Sequence, residues 1–87
     1  MRISKDPDAV LDYSVNWSHW LDGDEIATST WIVPDGLTQA TDTFTKTLAT
    51  VWISGGTADV EYTVTNRITT VAGRTDDRSM ILVCRER

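Results

Sequence analysis

The residues with chemical reach are few: one histidine, one cysteine and a short acidic run. The single histidine, His19, removes any two-histidine metal site and leaves any Cys–His or Ser–His device dependent on one ring. It lies between Trp17 and Trp20, where it reads as a surface imidazole packed on an aromatic rather than a general base. Cys84 stands in an apolar run with Ile81 and Val83, the setting of a small buried thiol rather than an activated nucleophile. With no second cysteine, no internal disulfide forms. Asp22-Gly23-Asp24-Glu25 is spelled like a fragment of a calcium loop. A true loop supplies five or more spaced oxygens and closes on an acidic residue, and that spacing is missing. Asp76 and Asp77 would add ligands only if the fold brought them close, so the run reads as a polar turn. Gly55-Gly56 lacks the glycine spacing and the lysine of a phosphate loop. No catalytic residue, metal site or cofactor emerges, and an enzyme is not expected.

The four tryptophans, Trp17, Trp20, Trp31 and Trp52, are dense for 87 residues. One or two fill a core, and a thin domain leaves at least one on a surface. Trp20, beside the Asp22 turn, is the candidate for exposure. Surface tryptophan suits a protein interface or a stacked sugar. Protein contact is favoured, because no convergent acids or amides are localised for a sugar.

The elements that must position these residues are strands. Fourteen Thr, eight Val and six Ile are stiff at χ1 and suit a pleated surface. Two Lys and three Glu are too few for a solvated helical bundle. A chain of this length is one domain and buries roughly 60–65% of its extended surface. Residues 1–11, with Lys5-Asp6-Pro7-Asp8, read as an extended polar arm before a domain over 12–87. Leu11 to Trp20 alternates apolar and polar, which predicts a half-buried strand. Glu25 to Val33 is apolar on both faces, as a central strand would be. Leu37 to Thr45 is a weak edge strand. Thr47 to Ser54 turns Ala49, Val51 and Ile53 to one face. Val60 to Val71 and Asp77 to Arg85 form the last hairpin around Ala72-Gly73-Arg74. Six or seven antiparallel strands joined by short turns predict a β-sandwich of the immunoglobulin-like or fibronectin type, without a disulfide. Tyr62 sits where such sandwiches place a tyrosine whose hydroxyl turns back to the preceding corner. Asn66, within its strand, reads as a structural hydrogen-bonding residue.

Net charge is −5 and the pI near 4.5, which argues against nucleic acid or an anionic membrane as partner. Residues 1–42 carry net −6 and residues 43–87 net +1. That asymmetry fits head-to-tail stacking or, more plainly, unpatterned surface charge. Arg67, Arg74 and Arg78 are available for pairing between subunits or for ordinary surface contacts. The first ten residues are charged and contain Pro7, so neither a signal peptide nor a membrane span is expected. Asn16-Trp17-Ser18 is spelled as a glycosylation acceptor and, without a secretion signal, reads as chance.

The run Lys5-Asp6-Pro7-Asp8, then Leu11-Asp12-Tyr13 and Trp17, resembles the opening of small tailed-phage fiber-tail adaptors. So do Ser29-Thr30-Trp31, Val33-Pro34, Gly36-Leu37, Val51-Trp52 and Ser54-Gly55-Gly56-Thr57. Tyr62-Thr63-Val64-Thr65-Asn66-Arg67 and Gly73-Arg74-Thr75 continue the likeness, which covers about residues 5–86. Asp35, Asp59 and Cys84 depart from the pattern. The resemblance implies a virion structural protein of the tail or baseplate, made in the bacterial host cytoplasm and attaching fibers by protein–protein docking. Its partners would be tail, baseplate or fiber proteins and further copies of itself in a symmetric ring, where weak contacts sum. The expected interface is the arm and the last hairpin: Lys5, Asp6, Pro7, Asp8, Leu11, Trp20, Arg74 and Arg78. Capsid decoration, a head-to-tail connector, or a glycan-binding module on the same fold are the alternatives.

Overall fold

The structure, a computed structural model, describes residues 2–85. Met1 of the expected arm and residues 86–87 of the expected domain lie outside the described residues. Among the described residues there are seven strands: β1 (Arg2–Lys5), β2 (Leu11–Asn16), β3 (Ile26–Ile32), β4 (Leu37–Phe44), β5 (Leu48–Gly55), β6 (Glu61–Thr70) and β7 (Thr75–Cys84). One helical turn, α1 (Ser18–Leu21), joins β2 to β3. The strands form two open sheets, in the orders β1-β7-β6-β3 and β2-β5-β4.

Alternation explains the core. Ala49, Val51 and Ile53 of β5 face inward and are fully buried, opposite Val64 and Ile68 of β6 and Met80, Leu82 and Cys84 of β7. Trp17, Leu21 and Trp31 belong to the same cluster, with Tyr13, Val15, Ile26, Leu37 and Tyr62. A buried asparagine crosses it: Asn66 Oδ1 accepts the Trp17 indole N–H at 2.8 Å, and its amide donates to Ser29 Oγ and the Thr30 carbonyl. Burial makes an unpaired amide costly, so these bonds fix the height of β3 and Trp17 on the sheet.

The all-β class agrees with the sequence, and several finer expectations need correction. The strands are not all antiparallel, because β1 pairs with β7 in parallel, Arg2 opposite Ile81 and Lys5 opposite Cys84. The expected strand over Leu11–Trp20 stops at Asn16. There the Asn16 side chain accepts the Ser18 N–H, and the chain coils into α1, closed by Asp22 in the left-handed region. The strand from Glu25 is an edge, not a centre. Its two apolar faces arise from a bulge between Ile26 and Thr28, which breaks the alternation so that Ile26 and Trp31 both point inward.

Candidate interaction surfaces

The expected interface residues divide between the two ends of an elongated molecule, 42 × 21 × 18 Å. Lys5, Asp6, Pro7, Asp8 and Leu11 lie at the end formed by the loops after β1, β3 and β5. Trp20, Arg74 and Arg78 lie at the other end, with α1 and the β6–β7 turn.

Lys5 is not a surface residue. It is fully buried, and its ammonium donates to the Gly55 carbonyl at 2.7 Å and the Asp6 carbonyl at 2.9 Å. Register explains this: pairing with Cys84 turns the Lys5 side chain onto the core face, and the two carbonyls replace its water. Asp6 and Pro7 are half-buried, while Asp8 and Leu11 are exposed. The Asp6 side chain accepts the Asp8 N–H, an Asx turn that fixes the bend after β1.

Tight backbone packing builds the same end. Gly36, at φ +99°, lies under the Tyr62 ring, where a Cβ would sit 2.8 Å from Cε1. The Tyr62 hydroxyl accepts the Thr57 N–H at 3.0 Å, so the tyrosine turns back to the corner preceding its strand. Gly56, at φ +102°, leaves room for Cys84 Sγ, which any Cβ there would overlap.

Trp20 is half-buried rather than exposed and packs on the core. One face is covered by the Arg74 guanidinium, 4.3 Å from the ring centroid. Trp20 meets Trp17 edge-on at 5.4 Å, and Arg78 lies 4.5 Å from the Trp17 centroid. Arg78 also donates to the Asn16 carbonyl, and Arg74 to the Leu21 carbonyl and Asp24 Oδ2. Both arginines are thus held within the molecule. Asp24 ties the two turns of this end together. The Thr70 hydroxyl, the Glu25 and Ala72 N–H groups and Arg74 hold its carboxyl at about 2, below the usual 3.8.

Other cations are similarly engaged. Arg67 pairs with Asp77 through two bonds of 2.8 and 3.0 Å, which lowers the Asp77 pKa. Arg2 pairs with Glu61, and Lys46 lies 3.8 Å from Glu25. The acidic excess is less bound: Asp8, Asp12, Asp22, Asp35, Asp42, Asp59 and Asp76 are exposed and form no ion pair among the described residues. Among those residues no group of three or more His, Cys, Asp or Glu is placed to hold a metal ion. Cys84 is a free, buried thiol.

A cleft of about 500 Å³ between β2 and β7 is lined by Ser14, Val15, Asn16, Arg78 and Ser79. On the opposite side, seven of the eight residues of β4 are exposed, including Phe44. Sequence reasoning marked β4 as an edge but not as a surface. The signal was present in its threonines and in its lack of Lys and Pro.

The described residues thus form two open β-sheets in which Arg2, Lys5, Lys46, Arg67, Arg74 and Arg78 are engaged within the chain, while β4 is exposed along nearly its whole length. The chain belongs to the Gp77 family, described as podophage GP4 fiber-tail adaptor proteins, whose family model matches residues 5–83. It is therefore a member of a phage tail adaptor family. No curated protein matches it.

Proposed function

We propose that the chain is a non-enzymatic virion structural protein that helps to attach fibers to a phage tail or baseplate, several copies acting together. The observation that carries this reading is the family match, which spans nearly the whole chain. Weak contacts repeated around a ring then sum through effective concentration. An immunoglobulin-like sandwich is the finer fold reading, supported by the two facing sheets and by the Tyr62 hydroxyl bond to the Thr57 N–H. The glycan-binding alternative loses support, because Arg74 covers one face of the tryptophan it would use.

Labelling intact particles with an antibody against the chain, read by electron microscopy, tests this function. Label at the tail is expected. Label over the head would favour a decoration protein, and unlabelled particles would remove the virion role.

A further inference from the structure

We propose that β4 is a docking edge for an extended, basic segment of another protein, which adds to the three-stranded sheet as a fourth strand. The inference rests on the adaptor reading and names the chemistry of its partner.

The geometry singles out β4 among four edges. β1 and β3 end one sheet, and β2 and β4 the other. β1 has only four residues, and its Lys5 is locked into the core. β3 is bulged as well, between Ile26 and Thr28, but it is anchored in the core by Ile26 and Trp31. Beside β2, Arg78 bridges the cleft to the Asn16 carbonyl. β4 runs for eight residues and is exposed from Thr38 to Phe44. Thr45 donates its N–H to the Leu48 carbonyl. Alternation along the antiparallel ladder then turns the N–H and C=O groups of Phe44 and Asp42 away from β5. A bulge between Gln39 and Thr41 limits the regular stretch to Thr41–Phe44. Phe44, on the same phase of the ladder as the buried Ala49, is nonetheless 43% exposed. A strand laid beside β4 would meet both free backbone groups and an apolar side chain.

Charge selects the occupant. Asp42 is the one charged residue in β4. A second copy is a poor match, since β2, β3 and β4 contain no Lys or Arg. In β1, Lys5 is buried and Arg2 is paired with Glu61. Thus, among the described residues, no edge strand brings a free cation to Asp42, and two chains of net −5 repel. A foreign strand carrying Lys or Arg opposite Asp42 fits.

The test compares amide hydrogen exchange of the isolated chain with that of the chain within purified tails. Assembly is expected to slow exchange in Leu37–Phe44 by about tenfold or more. Asp42→Pro removes an outward N–H at an edge position that tolerates proline, and Asp42→Lys reverses the charge. Both are expected to leave exchange elsewhere in the isolated chain unchanged, and to cut the β4 protection or the copies incorporated by about tenfold. Wild-type chain present in tails with β4 exchanging as fast as in isolation would overturn strand addition while leaving the adaptor reading intact. Full incorporation and protection of Asp42→Lys would overturn the basic partner. Self-association of the isolated chain with β4 protected would assign the edge to a second copy and overturn the foreign one. Absence of the wild-type chain from tails would overturn the adaptor reading, and this proposal with it.

Discussion

β1 and β4 each end a sheet, yet they treat their polar groups in opposite ways. β1 buries a lysine, bonds it to two carbonyls, and adds in parallel to a strand far away in sequence. β4 buries only Leu37 and leaves its remaining residues in water. An edge closed by buried, satisfied contacts belongs to the stability of the fold. A solvated edge with free N–H and C=O groups contributes little to stability and is available to a partner. The same chain therefore holds an edge anchored by a buried lysine and an exposed edge on different sheets.

Substitutions around the β1 end should be the most damaging. Gly56→Ala forces a side chain into the left-handed region and onto Cys84 Sγ, with an expected loss of about 3 kcal/mol or more in denaturant unfolding. A Gly56→Ala protein as stable as wild type would break the account of this corner. Lys5→Ala leaves the Gly55 carbonyl without its donor and removes the buried stem, costing about 2 kcal/mol in the same measurement.

Acid should act at the other end of the molecule. The Asp24 carboxyl sits at about 2 in the folded chain against an ordinary 3.8, held by Thr70, Glu25, Ala72 and Arg74. A depressed carboxyl contributes stability that is fully present above about pH 4 and is lost as pH falls toward 2. Thermal melts across that window should show the decline, shared with Asp77 because Arg67 lowers it as well. Asp24→Asn should flatten part of the slope, and an unchanged slope would count against the Asp24 hub. The smallest effect is expected on the open edge. Thr43→Ala, on an exposed position of β4, should change stability by less than about 0.5 kcal/mol. A larger loss there would mean that β4 is part of the structural frame after all.

Much of the fold was legible because local periodicity carries it. Ala49, Val51 and Ile53 alternate in the sequence and line the core as that alternation requires. Tyr62 and Asn66 were readable because their chemistry allows few roles at such positions, and each makes the bonds anticipated for it. The expected interface was less legible. Lys5 looked like part of a polar arm, since a four-residue parallel pairing with Cys84 leaves no local pattern. Trp20 looked exposed because Arg74, which covers it, is distant in the chain. The bulge in β3 disguised an edge as a centre by turning Ile26 and Trp31 to one side. α1 was hidden because Trp17 continues the period of two for one residue beyond the point where the strand ends.

The distinction between a closed and an open edge is tested most directly by a reconstruction of the phage tail at a resolution that traces strands. It should show this chain with an extra strand of another protein beside β4, Lys or Arg near Asp42, and β1 unchanged on β7. A chain seated in the tail with β4 bare and its partner bound elsewhere, or with β1 displaced from its own sheet, would contradict the account.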